Sequence, residues 1–185
     1  PRNAPVPTTF WGDGIILQPP VYHPFFWAVR TNARRLLENR LVEQGGVYAI
    51  DFDDLEVKAR EARMLILCNP HNPVGRVWQR EELKQIAEIC LRHKLIILSD
   101  EIHNDLVFRP HRHIPIASLS PEMDRITVSC HAASKTFNLA GLSTAYMMIR
   151  DPKLRETYKQ ASDFLHVEAV NPFGRRFVFW VINPA

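Results

Sequence analysis

The sequence predicts an α/β protein, a three-layer sandwich in which helices cover a mainly parallel β-sheet. The 185-residue chain is 46% hydrophobic and 23% charged, which provides enough apolar side chains for the buried core of one domain. Short continuous apolar runs alternate along the chain with amphipathic stretches, a pattern typical of strands buried on both faces and joined by helices. Successive strand–helix units favour right-handed crossovers, which place neighbouring strands parallel to each other.

Prolines and aspartates mark the ends of the first predicted elements. A strand over residues 14–18 (GIILQ) stops at a pair of prolines, and a short helix, Pro24–Thr31, begins with proline, which suits a first helical turn. A further strand is predicted over Arg35–Glu38. Asp51 and Asp53 can cap a helix that runs to about residue 62, because a carboxylate accepts hydrogen bonds from the free N–H groups of a first turn.

The same alternation continues through the second half of the chain. The apolar run over residues 64–68 (MLILC) predicts a buried strand, and residues 95–99 (LIILS) predict another. Between them, residues 80–93 predict an amphipathic helix whose apolar residues recur at helical spacing: Leu83, Ile86, Ala87, Cys90 and Leu91. The remaining predicted elements are two strands and a helix with Asp151 as N-cap and Pro152 in its first turn: residues 126–129, 142–149 and 152–164.

Charge and cysteine content exclude several classes of function. Lys and Arg exceed Asp and Glu by 23 to 20, and the excess is spread along the chain, so we expect no nucleic-acid partner. No apolar run approaches the roughly 20 residues of a membrane span, so we expect no membrane partner. The cysteines stand far apart without metal-ligand spacing, which is typical of reduced thiols in a cytoplasmic protein: Cys68, Cys90 and Cys130.

Two scattered groups of basic side chains are expected to lie at the surface. The arginines of the first group predict a solvated face, with anion binding as a minor alternative: Arg30, Arg34, Arg35 and Arg40. The histidines of the second group predict surface or turn positions and no metal site: His23, His71, His111, His113 and His131.

Chemically reactive side chains follow three of the predicted strands. In open α/β sheets, ligands collect beyond the carboxyl ends of the strands, so the loops at this edge are the candidate site. The segment NPHNPVG follows MLILC, the segment DEIHND follows LIILS, and the segment SKTFN comes soon after ITVS. The sequence therefore predicts that an amide, a carboxylate and an amine converge at this edge: Asn72, Asp100 and Lys135.

Each candidate also has an ordinary structural explanation when it is taken alone. A loop lysine is usually a solvated charge, and Asp100 could cap the segment that follows it. Asn72 between prolines could form an Asx turn, and Tyr22, in a segment rich in phenylalanine, could belong to the core. The functional interpretation of these residues therefore depends on their combination in one ordered set.

That ordered set resembles the fold-type I enzymes that use pyridoxal phosphate, within the class I/II aminotransferase superfamily, and most closely the MalY/PatB-type cystathionine β-lyases. The four motifs are PPVYHPFF, NPHNPVG, SDEIHNDLVF and SKTFNLAGL, with 50, 28 and 35 residues between Tyr22, Asn72, Asp100 and Lys135. The resemblance covers residues 13–174 and implies the large cofactor-binding domain of that fold, with pyridoxal 5'-phosphate as cofactor.

The resemblance implies a role for each matched residue. Lys135 would join the cofactor's aldehyde as a Schiff base and later move a proton at the substrate Cα. Asp100 would face the pyridine nitrogen and keep it protonated, since a nearby carboxylate favours the charged ring. The remaining matched residues would contact the ring and the phosphate: Asn72 at the 3-oxygen, Tyr22 stacked on the ring, and Ser134 at the phosphate.

The reaction is not determined by the fold or the lysine. Many related aminotransferases carry a tyrosine that reaches the cofactor's 3-oxygen three residues after the aspartate, whereas this chain has His103, the form typical of the carbon–sulfur lyases. We therefore expect β-elimination from a small sulfur amino acid such as cystathionine, giving a thiol, pyruvate and ammonia. The alternatives are a pyridoxal-phosphate-dependent aminotransferase and a non-catalytic, dimerising α/β module.

The resemblance also divides the chain into three parts. Residues 1–12 form an atypical N-terminal lead, residues 13–174 the cofactor-binding core, and residues 175–185 an atypical C-terminal tail. The family's phosphate-binding loop and its small C-terminal domain are expected to be absent, so we expect an incomplete and impaired enzyme.

Within the core, HAASK replaces the more usual TAPSK and places His131 where threonine is common. Enzymes of this fold usually build their sites at a homodimer interface, so a homodimer is implied.

Overall fold

A six-stranded, mainly parallel sheet forms the centre of the molecule in the computed structural model, which describes residue 9 and residues 11–165. The strand order is β2-β1-β5-β6-β7-β8, and only β8 runs antiparallel to its neighbour. The strands of this sheet are β1 (Gly14–Leu17), β2 (Arg35–Glu38), β5 (Ala62–Cys68), β6 (Ile96–Asp100), β7 (Thr127–His131) and β8 (Tyr146–Ile149). A separate antiparallel hairpin consists of β3 (Val42–Gln44) and β4 (Val47–Ala49).

Helices lie on both faces of the sheet, as a three-layer sandwich requires. They are α1 (Pro24–Thr31), α2 (Phe52–Ala59), α3 (Arg80–Arg92), α4 (Pro121–Ile126), α5 (Ala133–Thr136) and α6 (Pro152–Leu165), with two 3₁₀ turns at Ile116–Leu119 and Ala140–Leu142. Alternate strand residues separate the two apolar layers, because successive side chains point to opposite faces. Ile16 packs with residues of α2, α3 and α4, whereas Ile15 and Leu17 pack with Val29 of α1.

The predicted fold class is confirmed, and most element boundaries differ by one to four residues. Residue 62 was predicted as the end of a helix, but α2 ends at Ala59 and Ala62 begins β5 because it pairs with Gly14 of β1. β1 ends one residue before the predicted residue 18, and β6 is shifted by one residue, so that Asp100 is its last residue.

Two further boundary predictions are wrong because short helical turns precede the strands. Ile126 was predicted to begin a strand, but it is the last residue of α4, and β7 starts at Thr127 and extends to His131. Leu142 was predicted to begin the next strand, but it ends a 3₁₀ turn, and β8 starts only at Tyr146. The sequence interpretation also missed the β3–β4 hairpin, α4 and α5, which are too short to show a clear period.

Helix α3 follows its predicted periodicity with one exchange of residues. Leu83, Ile86, Ala87 and Cys90 are buried as expected, whereas Leu91 is partly exposed and Ile89 is buried instead. The N-terminus is held by a capping interaction in which the backbone N–H of Gln79 donates to the Glu82 carboxylate at 2.8 Å. This helix thereby anchors the end of the loop that carries the candidate residue Asn72.

The described part of the chain contains no helix that is both long and apolar enough to cross a membrane. Within the same residues, no group of three or more histidine, cysteine or acidic side chains is placed to hold a metal ion. The three cysteines are free thiols, with Cys68 and Cys90 buried. Most of the predicted lead and the whole predicted tail lie outside the described residues.

Candidate active site

The candidate site is a cleft of about 250 Å³ at the carboxyl ends of β5, β6 and β7. All six residues predicted from the sequence line this cleft, together with short side chains from the loop before β8: Tyr22, Asn72, Asp100, His103, Ser134 and Lys135. The structure thus brings together side chains that are up to 113 residues apart, counted from Tyr22 to Lys135. The sheet edge predicted from the order of strands and loops is the edge where these residues meet.

Strand pairing places Asp100 at the centre of this edge. In the parallel registers, Asp100 lies opposite Cys68 of β5 and Cys130 of β7. The backbone N–H of Asn69 donates to the Asp100 carbonyl at 3.0 Å, so the loop that leads to Asn72 starts beside the aspartate.

The loop around Asn72 is held by buried polar contacts. The Asn69 side chain accepts a hydrogen bond from the backbone N–H of Trp78 at 3.2 Å and donates one to the Ile114 carbonyl at 3.2 Å. Trp78 is fully buried, and its indole N–H donates to the Cys68 carbonyl at 3.1 Å. The segment between β5 and α3 therefore forms a fixed wall of the cleft rather than a free surface loop.

Asp100 lies in an environment that favours a cationic partner. Burial raises the pKa of the Asp100 carboxyl, while the hydrogen bond from the Ile102 N–H, at 3.2 Å to Oδ1, lowers it. That N–H is the one hydrogen-bond donor to the Asp100 side chain among the described residues. A positive charge placed in the cleft against this carboxylate would therefore be stabilised.

Lys135 and Ser134 reach the cleft from α5, which follows β7 after one residue. Next to Lys135 on this one-turn helix, the Thr136 hydroxyl donates to the Asp105 carboxylate at 2.8 Å. This hydrogen bond connects α5 to the turn that carries His103. The Lys135 amine and the His103 imidazole therefore belong to segments that are in contact.

His103 lines both the cleft and a second, larger cavity of about 570 Å³. Asn72 also belongs to both, so the two cavities meet at these two side chains. The walls of the second cavity are mainly apolar and come from the hairpin, from the loop between β5 and α3 and from the turn after β6: Val47, Pro70, Pro73, Val77, Leu106, Val107 and Phe108. The site therefore joins a polar cleft to a neighbouring apolar space.

Three of the five histidines predicted at surface or turn positions are buried or nearly so. His71 and His131 are buried, and the His113 side chain is 9% exposed, whereas His23 and His111 are exposed as expected. The surface prediction is wrong for these three because their rings find partners that are distant in sequence. One of those partners is Pro20, whose carbonyl accepts a hydrogen bond from His71 Nε2 at 3.0 Å.

The arginine group predicted as a solvated face is exposed at three of its four positions. Arg30, Arg35 and Arg40 are exposed, and the latter two pair with Glu61 and Glu38. Arg34 is half-buried and donates to the Thr9 hydroxyl at 3.1 Å.

Sequence reasoning missed a buried acid next to the cleft. Glu101 is 0% exposed, and its Oε2 accepts a hydrogen bond from His113 Nε2 at 2.8 Å and lies 3.9 Å from His131 Nε2. We refer to these three residues as the Glu101 cluster. One signal in the sequence points to Glu101, because it directly follows the predicted aspartate. Its histidine partners could not be predicted, since they are 12 and 30 residues away in the chain.

Comparison with known proteins identifies the family. The family model for aminotransferase class I and II matches residues 6–173, which is most of the chain. The chain belongs to this family. Cystathionine β-lyase PatB of Bacillus subtilis strain 168 is 46% identical over 165 residues, which cover 88% of this chain and 43% of PatB. The predicted resemblance to the class I/II superfamily and to the PatB type is thereby confirmed.

Solved structures of relatives share the fold of this family member. Cystalysin from Treponema denticola, whose crystal structure contains pyridoxal 5'-phosphate, has a TM-score of 0.84 and 38% identity, covering 93% of this chain and 43% of cystalysin. The pyridoxal-phosphate-bound C–S lyase from Staphylococcus hominis has a TM-score of 0.79 and 33% identity, covering 88% of this chain and 41% of the lyase. The chain spans less than half the length of these relatives.

The cleft fits the cofactor that these relatives contain. Pyridoxal phosphate carries an aldehyde, a ring nitrogen that becomes cationic, a ring oxygen and a phosphate. The cleft offers the Lys135 amine, the Asp100 carboxylate, the Asn72 amide and the Ser134 hydroxyl along its walls. A partly buried carboxylate whose pKa is raised by desolvation is the feature that most favours a cationic ring nitrogen as its partner.

Proposed function

We propose that this protein is a pyridoxal-phosphate-dependent carbon–sulfur β-lyase that acts on a small sulfur amino acid. The observation that carries the proposal is the position of His103, which lines the cleft beside Asp100 and also the apolar cavity next to it. The identity of 46% with cystathionine β-lyase PatB supports the same reaction class.

The lining residues have separate proposed roles toward the cofactor. Lys135 would bind its aldehyde carbon, and Asp100 would stabilise positive charge on its ring nitrogen. Tyr22 would pack its aromatic face on the ring, and Asn72, together with His103, would hydrogen-bond at the ring oxygen. Ser134 would donate its hydroxyl to the phosphate.

When bound, pyridoxal phosphate supplies a conjugated ring that accepts the electron pair left at the substrate Cα after deprotonation. The substrate's amino group would first replace Lys135 at the cofactor's aldehyde carbon, which would free the Lys135 amine. The freed amine is the base that would take the Cα proton, because no other lysine lines the cleft among the described residues. The Cβ–S bond would then break with its electron pair on sulfur, which leaves as a thiol once it is protonated. Addition of water to the remaining three-carbon fragment gives pyruvate and ammonia.

The apolar cavity favours a thioether substrate over a short polar one. It meets the cleft at Asn72 and His103, so a side chain that extends from Cβ can enter it. Apolar walls such as Leu106 and Val107 favour methylene and sulfur groups through the hydrophobic effect. We therefore propose cystathionine-type thioethers as the substrate class.

Cofactor attachment is tested by Lys135→Ala. We expect the wild-type chain, after incubation with pyridoxal phosphate and borohydride reduction, to gain one cofactor mass on the peptide that holds Lys135. The Lys135→Ala variant should show neither this mass nor the visible absorbance of the unreduced complex, because no other lysine lines the cleft among the described residues. Lys84→Ala is the matched control, since Lys84 is exposed and pairs only with Glu81 among the described acids.

An unmodified Lys135 in the wild-type chain, or attachment that persists in Lys135→Ala, contradicts the proposed role of the lysine.

The reaction itself is tested with cystathionine in the presence and absence of α-ketoglutarate. Pyruvate release without α-ketoglutarate supports the lyase. Amino transfer that depends on α-ketoglutarate, with no pyruvate, supports the alternative aminotransferase.

We further propose that the protein is a homodimer in the cytoplasm. The free thiols at Cys68, Cys90 and Cys130 favour a reducing compartment. Large apolar side chains that line the two cavities are exposed, which favours a second copy of the chain as their cover: Tyr22, Leu106 and Phe108.

A further inference from the structure

The Glu101 carboxylate is a fully buried charge with an unusually complete set of donors. Its Oε1 accepts hydrogen bonds from Ser99 Oγ at 2.9 Å and from Ser129 Oγ at 3.3 Å. Its Oε2 accepts the bond from His113 Nε2 at 2.8 Å. Burying a carboxylate is costly unless it is paired and hydrogen-bonded, and these three hydrogen bonds meet that requirement.

The cluster connects the two strands that lead to the predicted catalytic groups. The backbone N–H of Glu101 donates to the Cys130 carbonyl of β7 at 2.9 Å. Ser129 and His131 are two residues apart on β7, so both present their side chains to the face that Glu101 approaches. Because Asp100 ends β6 and Lys135 follows β7 by four residues, the cluster lies at the strand ends that lead to these two groups.

His131 links the cluster to the wall of the site. Its Nε2 is buried and has no hydrogen-bond partner in the described residues, although the Glu101 carboxylate is 3.9 Å away. Its ring stacks on Tyr146 of β8 at 5.2 Å with an angle of 16° between the ring planes. The stacked ring is thereby held beside the Glu101 carboxylate.

The charges that act on Asp100 come from several elements. Burial raises its pKa most strongly, and the Ile102 N–H lowers it. Smaller electrostatic effects follow: His103 lowers the pKa, Glu101 raises it and His131 lowers it. Burial also raises the pKa values of the nearby thiols to about 12, so these thiols carry no charge near neutral pH. The titratable groups on the elements around Asp100 are Tyr22, Cys68, Glu101, His103, Cys130, His131 and Lys135.

We propose that Glu101, His113 and His131 form a buried charge cluster that positions Asp100 and tunes the charge it presents to the cleft. Glu101 repels the Asp100 carboxylate, and the imidazole of His131 offsets this repulsion from β7. His113 stabilises Glu101 through the hydrogen bond that its Nε2 donates to Oε2. These are positioning residues, since they act on the cofactor through Asp100; that significance rests on the proposed function.

The proposal is tested by an NMR pH titration of the Asp100 carboxyl carbon in the chain without cofactor. Glu101→Gln removes a negative charge and keeps the side-chain size, so we expect the Asp100 midpoint to fall. His131→Asn removes a group that is cationic when protonated, so we expect the midpoint to rise. Glu88→Gln, an exposed glutamate on α3, is the matched control and should leave the midpoint unchanged.

Opposite shifts in the two variants support the proposal. Midpoints that shift in the same direction, or that do not shift in either variant, overturn it. A merely structural role gives no reason for the two substitutions to move the Asp100 midpoint in opposite directions. If Glu101→Gln does not fold, His131→Lys replaces it. A midpoint that rises in His131→Asn and returns in His131→Lys then supports the proposal, and a rise in both overturns it. The titration uses the chain without cofactor, so a negative titration result does not contradict the lyase proposal. In the same way, a negative lyase assay does not contradict a positive titration result.

Discussion

His71 illustrates how a single residue acquires its properties from the fold. Its side chain is buried, its Nε2 donates to the Pro20 carbonyl, and its ring meets the Trp78 ring nearly at a right angle at 5.3 Å. Its Nδ1 is buried without a partner in the described residues, so protonation there has no acceptor. Burial therefore lowers the pKa of His71 to about 4.

The lowered pKa predicts that His71 makes folding depend on pH. The unfolded chain takes up the His71 proton near pH 6.5 and the folded chain only near pH 4, so stability is complete above pH 6.5 and falls as the pH drops between these values. We expect a loss of about 3 kcal/mol from this residue across that window, which urea unfolding between pH 7.5 and pH 4.5 would measure.

The prediction for His71 requires a control because other groups also titrate in this range. His71→Asn should flatten the dependence of unfolding free energy on pH relative to the wild-type chain. His23→Asn, at an exposed histidine, should leave the wild-type slope in place. Equal slopes in the wild-type chain and in His71→Asn would show that His71 does not carry this dependence.

At the scale of elements, Gly14 decides how closely β1 and β5 approach. A Cβ at this position would lie 2.6 Å from the Glu61 carbonyl oxygen and 2.7 Å from Leu37 Cδ1. The backbone oxygen cannot move away cheaply because Ala62, the next residue, pairs with Gly14 in the sheet. The irregular register between β1 and β5 begins at this glycine.

Gly14→Ala should therefore destabilise the protein by about 1–3 kcal/mol through overpacking. Gly141→Ala is the matched control, since no atom lies within 4 Å of a Cβ there and its backbone has no positive φ. We expect Gly141→Ala to be neutral or stabilising by less than about 1 kcal/mol. Denaturant unfolding of the two variants compares them directly, and equal stabilities would contradict the close approach at β1.

For the whole molecule, the distribution of exposed apolar side chains predicts self-association. Phe108 is 88% exposed at the rim of the apolar cavity, whereas Phe164 is 67% exposed on α6, on an element outside both cavities. If a second copy covers the rim, Phe108→Ser should raise the dimer dissociation constant at least about tenfold, equivalent to 1.4 kcal/mol.

Sedimentation velocity over a range of concentrations measures this effect. Phe164→Ser is the control and should leave the dissociation constant close to that of the wild-type chain. A wild-type chain that stays monomeric at every concentration would contradict the homodimer, and equal weakening by both substitutions would place the contact elsewhere.

Several features of this protein were predictable from short-range pattern alone. The strand over Arg35–Glu38, the helix Pro24–Thr31 and the parallel order of the sheet follow from apolar runs, prolines and strand–helix alternation. Because parallel strands end at one edge, the same pattern also predicted that Asn72, Asp100 and Lys135 would meet in one cleft.

Other features depend on contacts between residues far apart in the chain. Glu101 is buried only because Ser129, His113 and His131 surround it, and His71 is buried only because Pro20 and Trp78 meet it. Periodicity reports which face of an element is apolar and carries no information about such partners. The local pattern determined the sheet and its reactive edge, whereas the tertiary structure alone decided the burial and charge of the side chains behind that edge, because both depend on neighbours that only folding brings together.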